Sequence, residues 1–398
     1  MKNCFFKFLL IMTMLPVVFC SPAIAAGETT EELNGKITAL EKRLEKVEAA
    51  SEISTAWFDD INSRLQGDLE ITGYIDAELD LSDQQGANNH FRARHFSVLF
   101  GKQITQEWRV FAETEYENAP IINPDDKSTS TGTILLEQVY IERLFIPEIK
   151  IRVGRFLTPA GVWLVNRYSP FTPTQTRPQH IQKIFPQFLD GALVHGSFNL
   201  SDDLISYHIY AANGEGNSGG ADSNQDKAVG GRLELFFPAL YNLKIGVSAL
   251  SDKLNDSTNK TAEGVDLQFK ADRFRVQGEY AVADYNVANP IKPDRLRVRG
   301  EYALAGYSLD NIVQSRKSEG YYVQAQYDIG KFTIFYRYDY YAPDNSTDLN
   351  KVTVNTGGVN YHWTPYIVSK IENNSYVYKS GAGGPDYTEW ILSSAIMF

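Results

Sequence analysis

The sequence predicts an all-β protein: a sixteen-stranded antiparallel transmembrane β-barrel preceded by a short N-terminal α-helical coiled coil. Three observations predict it. The chain opens with an export signal, its side chains alternate between apolar and polar from residue 67 onward, and very short and long connections exchange regularly between the alternating segments. Aromatic residues make up 13% of the chain, with 23 Tyr and 22 Phe, as suits a barrel with aromatic girdles at both membrane interfaces.

The export signal comes first. Lys2 and Lys7 lead into an apolar run from Phe8 to Phe19, and Ala23-Ile24-Ala25 forms a small-x-small cleavage site, so residues 1–25 read as a signal peptide cut after Ala25. The run is too short for a spanning helix, which needs roughly 20 apolar residues. Cys20 follows the bulky Phe19, which argues against lipid attachment. Both cysteines, Cys4 and Cys20, lie inside the signal, which leaves the mature chain without thiol chemistry. Losing Lys2 and Lys7 takes the net charge from -11 to -13, the reverse of the basic footprint that nucleic-acid binding requires.

The coiled coil occupies residues 28–66. Leu33, Ile37, Leu40, Leu44 and Val47 fall on alternating four and three spacings, and Phe58, Ile61 and Leu65 resume the register after Ser51 and Ser54. A single helix with flanks as charged as Glu41, Lys42, Arg43, Glu45 and Lys46 cannot bury this stripe alone. The simplest partners are copies of itself, and a helix laid back on its own barrel is the alternative.

The barrel occupies residues 67–398. Leu69, Ile71, Ile75, Ala77, Leu79 and Leu81 share one face of the first segment, and Glu70, Thr72, Tyr74, Asp76, Glu78 and Asp80 the other. The same design recurs around Val265–Lys270, Phe274–Tyr280 and Phe332–Asp339. Seven short turns are expected, at Lys102–Gln106, Ile146–Glu148, Leu200–Asp203, Pro238–Tyr241, Ala271–Arg273, Asp328–Lys331 and His362–Pro365. Eight polar loops alternate with them: 82–90, 118–133, 157–188, 213–227, 252–261, 285–318, 342–351 and 377–386. Fifteen connections give sixteen strands, an even number that returns both chain ends to one side. Arg295 to Ala303 is strand-like but would make the count odd, so it reads as part of a long loop. The last strand puts Trp390, Leu392, Ile396 and the terminal Phe398 on one face. A terminal aromatic after an amphipathic strand resembles the signal read by the outer-membrane barrel-insertion machinery.

With these features the chain resembles the phosphate-selective porin family of Gram-negative outer membranes. The resemblance rests on Phe91-Arg-Ala-Arg94, on Arg152-Val-Gly-Arg-Phe156 followed by Pro159 and Gly161, and on Gly320-Tyr-Tyr-Val-Gln324, with looser matches at Asp190-Gly191, Asn213-Gly214 and Asn360-Tyr361. It spans most of residues 67–398. It implies a trimeric outer-membrane porin for passive diffusion of small solutes, with the third loop folded inward to narrow the channel.

That loop, Leu157 to Phe188, carries Arg167, Arg177 and Lys183, with His180, and no Asp or Glu. Cations lining a narrow passage favour anions, so an anion-preferring pore is expected, with phosphate among the candidate solutes. Arg92, Arg94, Arg152 and Arg155 extend the basic surface if strand register turns them to the lumen. Glu113, Glu115, Glu117, Asp266, Glu279 and Asp339 oppose it, and pairing between wall acids and arginines is an ordinary way to solvate a wide barrel.

Three rivals remain: a general non-selective porin, a barrel that tethers envelope layers through the coiled coil, and an outer-membrane enzyme. No catalytic residue, metal ligand or cofactor is expected. His90, His95, His180, His195, His208 and His362 are dispersed, none in a metal-ligand spacing. The sequence has no haem attachment motif.

Overall fold

A computed structural model describes residues 69–119, 121–122, 129–130, 132–215, 224–255, 258–287, 315–379 and 385–398. The signal, the coiled coil and the strand-like Arg295 to Ala303 stretch lie outside the described residues.

The alternation becomes strands where it was expected. In chain order these are β1 (Glu70–Ser82), β2 (His90–Gln103), β3 (Trp108–Glu117), β4 (Ile121–Ile122), β5 (Thr129–Ser130), β6 (Thr133–Ile146), β7 (Ile149–Leu157), β8 (Phe188–Leu200) and β9 (Asp203–Ala212). They continue as β10 (Ala228–Phe237), β11 (Leu243–Asn255), β12 (Thr258–Ala271), β13 (Phe274–Val287), β14 (Arg316–Ile329), β15 (Phe332–Ala342), β16 (Val352–Thr364), β17 (Ile367–Tyr378) and β18 (Tyr387–Met397). β4 and β5 pair only with each other, inside the second loop. The other sixteen form one closed antiparallel barrel in which each strand pairs with its sequence neighbours. The neighbouring strands close it at β1 and β18, from Tyr74 opposite Met397 to Ser82 opposite Glu389. Closure removes the sheet edges, the condition for crossing a bilayer with strands.

All seven short turns fall where the sequence placed them. Among the long connections, 252–261 is corrected. β11 runs on to Asn255 and β12 starts at Thr258, because Ser251, Asp252 and Lys253 pair with Thr261, Lys260 and Asn259. Polar composition marked these residues as loop, but in a barrel they are strand ends that stand beyond the apolar band.

The alternation also sorts the faces. In β1, Tyr74, Asp76, Glu78 and Asp80 are buried and Ile71 and Ile75 are exposed. In β18, Ile391, Ser393, Ala395 and Met397 are buried while Trp390, Leu392, Ile396 and Phe398 face outward. Trp108, Phe145, Tyr241, Phe274, Phe332 and Trp363 stand exposed beside the short turns, where an interfacial girdle belongs. Phe398 fastens the seam: its N–H donates to Gly73 O (2.9 Å) and its carbonyl accepts from Gly73 N–H (3.0 Å). Its ring stacks outside the barrel near Phe96, 6.3 Å between centroids.

The third loop as candidate functional site

The third loop, 158–187, is too long and too apolar to stay in solvent. Val162, Trp163, Leu164, Tyr168, Ile184 and Phe185 are all buried, and the cover they find is the inside of the barrel. A loop in that position leaves many backbone groups without a strand partner, and each must be satisfied. Charged wall side chains meet this need. Glu372 accepts from the N–H groups of Gln175 (2.6 Å) and Thr176 (3.1 Å), Asp339 from Gln179 N–H (2.7 Å), and Glu279 from Trp163 N–H (2.8 Å). From the cationic side, Lys370 Nζ donates to Ser169 O (2.7 Å) and Thr172 O (2.8 Å), and Arg337 Nη1 to Thr176 O (2.7 Å) and Thr174 Oγ1 (2.7 Å). Asn360 Nδ2 reaches Pro173 O (2.9 Å). The loop is therefore clamped across the lumen to β13, β15, β16 and β17. Gly161 sits at φ +62, and a Cβ there would strike the Glu279 carboxylate, so this bend requires glycine.

The four predicted loop residues fall into two pairs. Arg167 is buried beneath the loop, ion-paired with Glu137 and 4.0 Å from Glu113. Glu113 also accepts from Gln138 (2.8 Å), Tyr168 (3.0 Å) and Ser97 (3.3 Å). His180 packs beside Tyr322, 6.0 Å between ring centroids, and a side chain at Gly320 would collide with it. Burial, with Lys183 and Arg337 nearby, drives its pKa down to about 3. It is uncharged at neutral pH. The other pair stands in the lumen. Arg177 retains 24% of its side-chain exposure, 3.9 Å from Glu117; burial and the neighbouring Arg167 lower its pKa. Lys183 keeps solvent contact, lies 4.5 Å over the Tyr341 ring and donates to Gln179 Oε1 (3.2 Å), and partial desolvation by the surrounding wall lowers its pKa. It makes no ion pair among the described residues.

The acid-free sequence of the loop thus understates how far its cations are neutralised. The acids come from the wall, brought by barrel closure and invisible to a local reading. The wall arginines are paired as well. Arg92 meets Glu78 and, at 2.7 Å, Asp80; Arg94 donates to Asn118 Oδ1 (2.8 Å); Arg152 donates to Glu142 (2.9 Å) and lies 3.9 Å over the Tyr140 ring. Arg155 requires a correction, because it does not reach the lumen. It lies opposite the exposed Val139 and one residue from the buried Phe156, so it belongs to the outward set. There it grips Asp190 through two 2.7 Å bonds. It lies three positions along from Arg152, and an odd separation puts strand side chains on opposite faces.

Sequence reasoning missed Arg337, Lys370 and Glu372, which hold the loop. Their inward parity was readable in the alternation; their partners, more than 150 residues away, were not.

Comparison with known proteins agrees with this geometry. The family described as phosphate-selective porin O and P matches residues 70–372. An uncharacterized protein of Aquifex aeolicus is 26% identical over 188 residues, 43% of this chain; the match spans only 41% of that relative. An anion-selective porin from Comamonas acidovorans superposes with a TM-score of 0.58 at 12% identity, covering 83% of this chain and 99% of that one. In-vitro folded OmpT of Vibrio cholerae, in a trimer form, gives 0.52 at 10% identity over 83% and 99%. The two structures share the fold alone. Matched over three-quarters of its length and folded as a closed sixteen-stranded barrel with an inward third loop, the chain belongs to the phosphate-selective porin O and P family of outer-membrane proteins.

Proposed function

We propose that this porin passes small solutes by passive diffusion and prefers anions, phosphate among them, at a constriction formed by the third loop. The observation that carries the reading is Lys183, an exposed cation on an acid-free loop held across the lumen. Arg177 stands with it and shares its charge with Glu117 at 3.9 Å. Arg167 and His180 support the constriction from beneath. Fixed charges act strongly where a pore is narrow, which is why two side chains can outweigh a net charge of -11 spread over the whole chain. A general non-selective porin is the second reading, favoured by the paired wall arginines.

A channel role also accounts for the polar interior better than catalysis does. His95 is oriented by Asp76 at 2.9 Å, as in hydrolytic triads, but its other nitrogen faces Glu117 rather than a hydroxyl nucleophile. The decisive comparison is Arg177→Gln with Lys183→Gln in a planar bilayer. The double variant should shift the reversal potential toward cations, and an unchanged potential would remove both residues from the filter.

The same reading assigns residues 1–25 to export, 28–66 to a homotrimeric coiled coil and Phe398 to recognition by the insertion machinery. A likeness to a barrel obtained in a trimer form supports the assembly. Deleting residues 28–66 separates assembly from tethering. Trimers should be lost with envelope attachment intact; loosened envelopes with intact trimers would favour tethering.

A further inference from the structure

The loop and its anchors leave one cluster unexplained, on β1, β2 and β3 beside Arg177. Opposite Asp76 and Ala77 the strand β2 carries a bulge that places His95 and Arg94 side by side, the kind of irregularity that re-aims a side chain. His95 lies directly across from Asp76 on one side and from Glu117 on the other. Asp76 holds its Nδ1 at 2.9 and 3.0 Å and also accepts from its backbone N–H at 2.7 Å. With Nδ1 held by Asp76, the ring turns its Nε2 toward Glu117 Oε1, 3.8 Å away.

Two further facts single this cluster out. His95 is 7% exposed and its Nε2 has no hydrogen-bond partner; Glu115, 1% exposed, has an unpartnered Oε1 while Tyr74 occupies its Oε2 at 2.5 Å. A buried, unpartnered ring nitrogen facing a carboxylate, with a second unsatisfied carboxylate oxygen at its side, leaves polar groups that a bound cation would satisfy. One ligand atom from each of His95, Glu115 and Glu117 falls within 4.8 Å of the others. The neighbouring trio Glu113, Glu115 and Glu137 is equally close, but it offers no imidazole, and Arg167 already pairs with Glu137 and approaches Glu113.

We infer that His95 Nε2, Glu115 and Glu117 form a lumen site for a divalent first-row transition cation of the zinc class. One imidazole with two carboxylates suits that class, and an imidazole nitrogen disfavours magnesium and calcium, which take oxygen. Asp76 completes a carboxylate–histidine–metal relay that orients the ring. Glu117 keeps 19% of its side chain exposed and provides the entry from the lumen. Its other partner is Arg177, so cation binding displaces that guanidinium from Glu117 and frees its charge for the pore.

The test is calorimetric titration of zinc chloride into the full-length protein, produced without a polyhistidine tag and folded in detergent. This readout does not depend on solute selectivity, so the site can fail while the anion reading stands, and the reverse. One zinc per chain is expected in the wild type. Glu117→Gln and His95→Gln should abolish it, and Asp76→Asn should weaken it about 10- to 100-fold. Should His95→Gln fail to fold, zinc X-ray absorption on the wild type replaces it and should report one nitrogen among oxygen ligands. No zinc bound, equal binding by Glu117→Gln, or an all-oxygen shell would each overturn the inference.

Discussion

At the level of single residues, the lumen is a network of charges taken out of water, and each is tolerable only through its partner. Arg167 illustrates this. Its guanidinium lies under the loop against Glu137 and Glu113, both wholly buried. Replacing it with glutamine strands two carboxylates, and breaking a buried pair costs about 3–5 kcal/mol. Arg167→Gln should therefore lower the unfolding midpoint in detergent, and an unchanged midpoint would contradict the pairing. His180 gives the pH dependence. Its folded pKa, about 3, lies below the ordinary 6.5. Between these values the unfolded or undocked state binds the extra proton, so docking is fully favoured above about 6.5 and weakens as pH falls toward 3. Hydrogen exchange across 160–184 should accelerate through that window, and His180→Phe should flatten the response. The sequence made both residues visible as loop cations. It could not show that one is neutralised by remote acids and the other by burial, since neither cause is local.

The strands were the most legible elements, for a physical reason. A barrel wall faces lipid on one side and a polar lumen on the other, so every strand writes its orientation into its own alternation. Phe332, Ile334 and Tyr336 point out, and Thr333, Phe335 and Arg337 point in; even the apolar Phe335 is placed by parity. The third loop was legible in charge and length but not in path. Its course is set by acceptors and donors on β13 to β17, such as Glu372 for Gln175 and Thr176. Loosening one clamp should therefore be read as conductance noise rather than unfolding. Gly161→Ala forces a side chain into the Glu279 carboxylate at a bend with φ +62. It should raise open-channel noise and spontaneous closure in single-channel records, while the barrel keeps its folded electrophoretic mobility. Quiet channels would show that Glu279 does not hold the bend.

Across the whole molecule, closure is what lets an acidic chain present the basic constriction we propose. The chain carries 49 acids against 38 Lys and Arg, an excess of negative charge that by itself would favour cations. In the closed barrel many of those acids are consumed: Glu78 by Arg92, Glu142 by Arg152 and His195, Asp266 by Arg232 at 2.5 Å, and Glu372 by the loop backbone. What remains fixed in the lumen at the loop is Lys183, with Arg177 sharing its charge with Glu117 at 3.9 Å. The most direct measurement is the reversal potential of the wild-type protein in a planar bilayer under a salt gradient. Anion preference is predicted, with phosphate and other small anions the solutes to test next; a preference for cations would return control to the wall acids and contradict the basic constriction.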